Sequence, residues 1–240
     1  ILPSQIIFCA NSARVEHERI GFSAKKMSVV ANGVDLRVFR YEASKKLRNE
    51  YSVSPEECLF GMVARYHPVK DHENLLEALA RLDATKHPWS CVLVGSGATS
   101  DNHELVKKIH ERGLNHRIFL LGPRDDIPNV MNAIDVCVLA SKSEAFPNVL
   151  IEAMACGTPC ITTDVGDAAA IVGNNGWVVP PMDASRLSEA CGEALVARST
   201  LDWNSRCSEA VNWVTYKFSI GKMVAGYQDV WENAFRSSDS

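Results

Sequence analysis

The feature that most constrains this chain is an alternation, from residue 58 onward, of short apolar runs with helix-like patterns. The apolar runs are continuous, which is typical of strands in a parallel sheet that helices cover on both faces. We predict six such strands, at residues 58–64, 91–95, 118–122, 135–141, 160–163 and 176–180. The sequence therefore favours an α/β fold built on a Rossmann-like, doubly wound parallel sheet of about six strands.

Helix signals stand between the predicted strands. Asp71 and Asp183 each precede apolar residues at spacings of three and four, and are placed to cap a helix. Pro128 stands at a first helical position, and Gly113 ends the pattern before the third strand. A closing helix is predicted from one stripe of apolar side chains, which holds Ile220, Met223, Val224, Tyr227, Val230, Trp231 and Ala234.

Charge limits the classes of function. A net charge of -4 argues against a nucleic-acid binder, because such proteins usually carry a basic excess. Between residues 25 and 48, however, seven basic residues stand against two acidic ones. We expect this cluster to be a solvated face, and contact with a membrane surface or an anionic partner is the alternative.

The eight cysteines include no Cys-x-x-Cys pair, so we expect buried free thiols and a cytoplasmic, reducing compartment. The seven histidines do not stand at metal-ligand spacing, and we predict no metal site. No run reaches the roughly 18 apolar residues that a membrane span requires. The chain begins inside an apolar run without a helix start, so we expect a fragment of a longer protein.

Polar residues and glycines follow the first four predicted strands at the points where they end. After the first three strands these residues are Arg65, Lys70, Gly95, Gly97 and Arg124. The fourth strand leads into SEAFPNVLIEAMACGTPCI, residues 143–161, which contains Glu144 and Glu152. Because ligands of such sheets bind beyond the carboxyl ends of the strands, we expect these residues to share one site.

Two cations beside the N-terminus of a helix are typical of a diphosphate site. Arg65 can clamp two phosphate oxygens, and Lys70 can place a point charge beside them. Glu152, one turn into a helix that starts near Asn148, suits the two hydroxyls of a ribose, whereas Glu144 would face whatever lies beyond the phosphates. In the alternative interpretation, one of the two cations neutralises one of the two glutamates as a structural ion pair. Spacing alone leaves both interpretations open.

Four motifs in a fixed order carry a family resemblance. They are ANGVD at 31–35, Arg65-x4-Lys70, GSG at 95–97, and SEAFPNVLIEAMACGTPCITTDVG at 143–166. Together they resemble the carboxyl-terminal half of a retaining family-4 glycosyltransferase of the GT-B fold. The resemblance extends from about residue 4 to about residue 228, and the glutamate motif is its most specific part.

The resemblance implies a nucleotide-diphosphate sugar as the donor substrate, and no cofactor. It implies that Arg65 and Lys70 hold the donor diphosphate and act with Glu144 as the catalytic residues, and that Glu152 binds the ribose. The loop at residues 122–124 would lie against the base. The other donor-binding residues implied by the resemblance are Gly95, Gly97, Arg124, Phe146, Asn148 and Val149.

The resemblance also implies transfer of a sugar to a hydroxyl with retained configuration, in polysaccharide or glycolipid assembly. Residues 1–32 would be a remnant of the amino-terminal acceptor domain and hinge, and residues 33–240 the donor-binding domain with its closing helix. The acceptor, a glycan or a lipid-linked sugar, would bind the missing domain. We therefore expect the isolated chain to transfer no sugar, and the full enzyme to lie in the cytoplasm, at the inner face of the membrane.

Two positions depart from the family pattern. Asp167 stands where a second glycine is expected after Gly166, and Ala170 stands where an acid is expected. A nucleotide-sugar epimerase of the same fold and a nucleotide-binding module without catalysis are the alternative functions. An oxidoreductase is disfavoured because GSGATS, residues 95–100, lacks the third glycine of a dinucleotide fingerprint.

Overall fold

The chain builds two parallel sheets of unequal size, which a computed structural model describes over residues 3–43, 46–82 and 87–236. The smaller sheet pairs β1 (Ile6–Phe8) with β2 (Met27–Val29), and α1 (Asn11–Arg19) connects them. The apolar run at the start of the chain contains β1. β2 follows two lysines and includes Ser28, so it does not stand out in the sequence as an apolar run.

The larger sheet has six strands, and every neighbouring pair in it is parallel. Its strands are β3 (Cys58–Val63), β4 (Trp89–Val94), β5 (Ile118–Gly122), β6 (Val136–Leu139), β7 (Cys160–Thr163) and β8 (Trp177–Val179). The spatial order is β5-β4-β3-β6-β7-β8, so the chain moves outward from β3 in one direction and then returns to build the other half from β6. This reversal between β3 and β6 is the switch point at which doubly wound sheets bind ligands.

Helices cover both faces of this sheet. They are α2 (Lys46–Glu50), α3 (His72–Leu82), α4 (His103–Glu111), α5 (Ile127–Ala133), α6 (Asn148–Ala155), α7 (Ala168–Val172), α8 (Ala184–Arg198), α9 (Trp203–Phe218) and α10 (Ile220–Arg236). One core cluster takes residues from α5, α6, α7 and α9, and the other takes residues from α3, α4 and α8. Successive side chains of β3 divide between them, since Leu59 belongs to the first cluster and Phe60 to the second. The predicted six-stranded, doubly wound sheet is confirmed.

Of the two helix caps predicted from the sequence, Asp183 forms a capping hydrogen bond and Asp71 forms an ion pair. Asp183 precedes α8 and accepts a hydrogen bond from the Arg186 amide at 3.0 Å, as a capping residue does. Asp71 directly precedes α3 in a left-handed conformation, with φ of 51°, and its carboxylate lies 3.3 Å from Lys142 Nζ. The ion-pair partner of its carboxylate is therefore a cation that follows β6.

Three helices were not predicted: α2, α7 and α9. The first two are only five residues long. In α9 the buried residues are Ala210, Val214 and Phe218. The residues between them include Val211, Trp213 and Tyr216, which obscure the period. Trp213 on the same helix donates its indole N–H to the Ile171 carbonyl at 2.7 Å, which fixes α9 against α7.

The chain passes between the two sheets twice, once after β2 and once between α9 and α10, and these two segments contact each other. Val34 forms a parallel bridge with Ser219, which lies between α9 and α10. α10 then runs beside the smaller sheet, with Gly226 packed against Val30. Nothing on α10 is buried, and Trp231 and Phe235 are 63% and 70% exposed. None of the described helices combines the length and the apolarity needed to cross a membrane.

Replacing Gly33 by alanine tests how closely the segment at Gly33 packs against the backbone of Ser219 and Ile220. A Cβ at position 33 would lie 2.7–2.9 Å from backbone atoms of Ser219 and Ile220. Because backbone cannot rotate away, we expect a loss of about 1–3 kcal/mol in the free energy of unfolding, measured in urea.

Gly221→Ala is the matched control for this substitution. Nothing lies within 4 Å of the position that its Cβ would take, and alanine in a helix is favoured over glycine by roughly 0.5–1 kcal/mol. We therefore expect this variant to be as stable as the wild type or slightly more stable. Equal stability of the Gly33 and Gly221 variants would contradict the close packing at Gly33.

Candidate functional site

The loops after β3 and β4 hold each other at the carboxyl edge of the sheet. The Tyr66 amide donates to the Ser96 carbonyl at 2.7 Å. His67 then caps a short turn, with its Nδ1 accepting from the Val69 amide at 3.2 Å, and this turn ends at Lys70. His67 therefore shapes the loop that presents Lys70 to the switch point.

Lys70 and Glu144 form a close ion pair across the switch point. The Lys70 ammonium lies 2.5 Å from Glu144 Oε1, and both side chains are largely buried. The Ser141 hydroxyl donates to the same oxygen at 2.6 Å. Ser141 and Glu144 follow β6, whereas Lys70 follows β3, so this pair joins the two halves of the sheet. The sequence left open whether one of the two cations pairs with one of the two glutamates. In the structure, Lys70 pairs with Glu144.

Arg65 and Glu152 do not take part in such a pair. Arg65 is exposed, and its guanidinium makes no hydrogen bond or ion pair with the described residues. Glu152 lies in the second turn of α6 and is half-buried, and no described residue donates to its carboxylate. Burial raises the pKa of Glu152, because a carboxylate removed from water loses hydration without gaining a partner.

The N-terminus of α6 lies beside these residues without a side-chain cap. Pro147 precedes the helix with an extended backbone and has no side-chain oxygen for the first amides, which are those of Asn148 and Val149. The Asn148 side chain accepts from Asn32 Nδ2 at 2.9 Å. Phe146 is buried, with its ring centroid 5.8 Å from that of Phe218. The first turn of α6 therefore offers backbone amides for an anion.

Glycines allow the loops after β3, β4 and β5 to approach one another. Gly95 has φ of 137°, and a Cβ there would collide with the Ala64 carbonyl. Its amide donates to the Gly122 carbonyl at 2.8 Å. Gly97 also has a left-handed φ, of 79°, and packs against Tyr66. The two glycines predicted as donor-binding residues thus form a backbone surface next to Arg65.

Arg124 is held by an acidic neighbour. Its guanidinium donates to both carboxylate oxygens of Asp126, at 2.7 and 2.8 Å. This hydrogen bonding raises the pKa of Arg124 and lowers that of Asp126. Arg124 thus stands in the loop after β5, where it was expected, with its guanidinium fixed by Asp126.

The structure adds Asp167 to the residues around the site. Its amide donates to the Ala145 carbonyl at 2.9 Å, and its carboxylate accepts from the amides of Asn11 and Ser12 at 2.6 and 2.9 Å. Spacing could not reveal contacts between residues more than 150 positions apart. The only signal in the sequence was the departure from the family pattern at position 167.

A cavity of about 730 Å³ lies at the opposite edge of the sheet. Asp135 and Thr158, which precede β6 and β7, line it together with Arg48 and Trp203. None of the predicted site residues contributes to its wall. This cavity is therefore not the site that the sequence predicts, although it is large.

All eight cysteines are free thiols, as predicted, and six of them are buried. Burial raises the pKa of Cys156 and Cys191 to about 12 in each case. The two half-buried cysteines are Cys9 and Cys207, and burial raises the pKa of Cys207 to about 11. The thiols of Cys156, Cys191 and Cys207 are therefore protonated at neutral pH and are poor nucleophiles.

Comparison with known proteins defines the class of the chain. The family model described as Glycosyl transferases group 1 matches residues 43–209, which is more than half of the chain. The chain therefore belongs to this glycosyltransferase family. It is similar to N-acetyl-alpha-D-glucosaminyl L-malate synthase of Bacillus anthracis, with 27% identity over 216 residues, covering 88% of this chain and 55% of that protein. The chain spans about half the length of the curated relatives that it matches.

Solved structures agree on the fold. A glycosyltransferase from Rickettsia africae matches 97% of this chain and 64% of its own, with a TM-score of 0.87 and 23% identity, which bears on the fold alone. HepE from Anabaena, solved in complex with UDP and glucose, covers 97% of this chain and 63% of its own, with a TM-score of 0.83 and 26% identity. The α/β sheet is thus that of a GT-B glycosyltransferase.

The raised pKa of Glu152 predicts how one substitution changes stability. A carboxyl group whose pKa is higher in the folded than in the unfolded chain stabilises the fold fully only below its unfolded pKa. That contribution is lost as the pH rises through the folded pKa. Glu152→Gln removes the charge and keeps the shape, so the unliganded variant should be more stable than the wild type at neutral pH. The difference should shrink as the solution is made acidic.

Thermal unfolding of both proteins across the pH range measures this effect. Glu193→Gln is the control, because Glu193 is exposed on α8 and its removal should change stability by no more than about 0.5 kcal/mol. A Glu152→Gln variant that is less stable than the wild type at neutral pH would show that the carboxylate has a partner within the fold.

Proposed function

We propose that this chain is the donor-binding part of a retaining family-4 glycosyltransferase, which transfers a sugar from a nucleotide-diphosphate sugar to a hydroxyl. The observation that carries the proposal is Glu152, a half-buried carboxylate without a donor among the described residues, set in the helix whose uncapped N-terminus faces the switch point. Such a carboxylate is costly in a free protein. The hydroxyls of a ribose would satisfy it.

The other parts of the site match a nucleotide diphosphate. Arg65 would clamp the phosphates, and Lys70 and the amides of Asn148 and Val149 would complete their contacts. Gly95 and Gly97 would let the backbone approach the diphosphate, and the loop that carries Arg124 would lie against the base. The Phe146 amide and Glu144 would face the sugar. HepE from Anabaena, solved with UDP and glucose, makes a uridine nucleotide the first donor to test.

Donor binding would change the partners of Lys70. In the free chain its ammonium neutralises Glu144, which also accepts from Ser141. A diphosphate offers more negative charge than one carboxylate, so Lys70 would turn toward it or be shared. Ser141 would continue to hold Glu144 in place. Glu144 would then be free to accept a hydrogen bond from the donor sugar.

In the proposed reaction, the bond between the anomeric carbon and the diphosphate oxygen breaks, and its electron pair stays on the diphosphate. An acceptor hydroxyl forms the new bond on the same face of the sugar, and its proton moves to the departing phosphate oxygen. Negative charge therefore grows on the diphosphate in the transition state. Arg65, Lys70 and the N-terminus of α6 would stabilise that charge more than the charge of the bound substrate. The proposal assigns no cofactor or metal to the reaction, because the two cations supply the positive charge.

We further propose that residues 3–32 are the end of an acceptor-binding domain. The sheet formed by β1 and β2 has only two strands, and the exposed Trp231 and Phe235 of α10 lie on the helix that runs beside it. An acceptor such as a glycan or a lipid-linked sugar would bind this domain, at the cytoplasmic side of a membrane. Residues 33–240 would then bind the donor.

Substitution of the two cations tests the donor assignment. Arg65→Ala and Lys70→Ala should each weaken binding of UDP far more than binding of uridine, because only the diphosphate contacts them. Calorimetry with both ligands measures the difference, and GDP and ADP with their nucleosides extend it to the other bases. Equal losses for nucleotide and nucleoside would mean that the cations only support the fold.

The 240-residue chain alone should bind the nucleotide but transfer no sugar. An acceptor must be aligned with the anomeric carbon, and such alignment supplies roughly 7–11 kcal/mol of a typical barrier. Water would also reach the open cleft and weaken its electrostatic interactions. The measurement is incubation with UDP-, GDP- and ADP-sugars and candidate acceptors, followed by product analysis. Efficient transfer would contradict the assignment of residues 3–32.

A further inference from the structure

The helix α1 starts without a cap from its own sequence. Ala10 occupies the capping position in an extended conformation and has no side-chain oxygen to offer. The first two amides of α1, from Asn11 and Ser12, donate to the carboxylate of Asp167, at 2.6 and 2.9 Å. The cap of α1 therefore comes from the loop after β7, which belongs to the larger sheet.

Asp167 also contacts the loop that carries Glu144. Its amide donates to the Ala145 carbonyl at 2.9 Å. The preceding residue, Gly166, has φ of 57° and lies so close to the carbonyls of Glu144 and Ala145 that a Cβ would collide with both. One residue thus holds the first turn of α1 through its side chain and the Glu144 loop through its backbone.

The other end of the Glu144 loop, at residue 148, is also hydrogen-bonded to the amino-terminal part of the chain. Asn148, which begins α6, accepts from Asn32 Nδ2 at 2.9 Å. Residues 144–148 are therefore joined to the amino-terminal part at one end through Asp167 and at the other through Asn32. A shift of α1 relative to the larger sheet would pull on the residues proposed to face the donor sugar.

We propose that Asp167 is a positioning residue of the donor site, which couples the orientation of α1 to the placement of the Glu144 loop. This inference rests on the proposed function, because it assumes that residues 144–148 face the donor. A glycine at position 167 would keep the amide contact with Ala145 and lose the carboxylate. The carboxylate is thus the part of Asp167 that links α1 to the donor site.

Hydrogen exchange with and without UDP tests this coupling. In the wild type, UDP should order residues 144–148 and slow exchange at the amides of Asn11 and Ser12. In Asp167→Gly these amides should exchange fast whether or not UDP is present. The UDP affinity of the variant should stay within about twofold of the wild type, since Arg65 and Glu152 are untouched. Asp164→Asn is the control, because Asp164 is exposed in the same loop and its carboxylate makes no hydrogen bond or ion pair with a described residue.

A second variant separates coupling from simple capping. Adding Ala10→Ser to Asp167→Gly gives α1 a cap of its own. It should restore slow exchange in α1 without restoring the response to UDP. A response to UDP in either variant equal to that of the wild type would overturn the coupling. Failure of the wild type to bind UDP, GDP or ADP would overturn the proposed function and this inference with it, whereas binding without a response in α1 overturns this inference alone.

Discussion

Between β3 and β6 the connections leave toward opposite halves of the sheet, so the loops after these two strands diverge and leave a crevice between them. Lys70 enters this crevice from one side and Glu144 from the other, and their ion pair closes it in the free chain. The uncapped start of α6 lies at the same place because α6 follows β6. The positions of Lys70, Glu144 and the start of α6 thus depend on the reversal of strand order.

Some charged side chains around the crevice have a partner within the fold and others do not, and this difference is the basis of the proposed function. Lys70 and Glu144 neutralise each other, and Arg124 is fixed by Asp126. Glu152, in contrast, has no donor among the described residues, and its raised pKa reflects the cost of that position. A protein that only needed to fold would gain by replacing this carboxylate. We propose that a ligand supplies the missing hydrogen bonds, in line with the trade between stability and function.

The sequence predicted the sheet well because its strands are mostly apolar runs, and the four inner ones, β4, β3, β6 and β7, are buried along nearly their whole length. It predicted α3 and α8 from their apolar stripes, but it missed α9, in which further apolar residues stand between the three buried ones. The site was predicted as a set of residues after strands, and the structure places them at one edge. Which cation pairs with which glutamate could not be predicted, because that depends on the side-chain geometry of two loops. The cap of α1 by Asp167 could not be predicted either, since it joins residues 155 and 156 positions apart.

The central claim is that ribose hydroxyls complete the hydrogen bonding of Glu152. Calorimetry of UDP and of 2′,3′-dideoxyuridine diphosphate, each with the wild type and with Glu152→Gln, measures it most directly. Hydrogen bonds to a charged acceptor are worth about 1.5–3 kcal/mol, so the wild type should bind UDP about 10- to 150-fold more tightly than the dideoxy compound. The variant should discriminate far less between the two ligands. Equal discrimination by the wild type and the variant, or none by the wild type, would contradict the account.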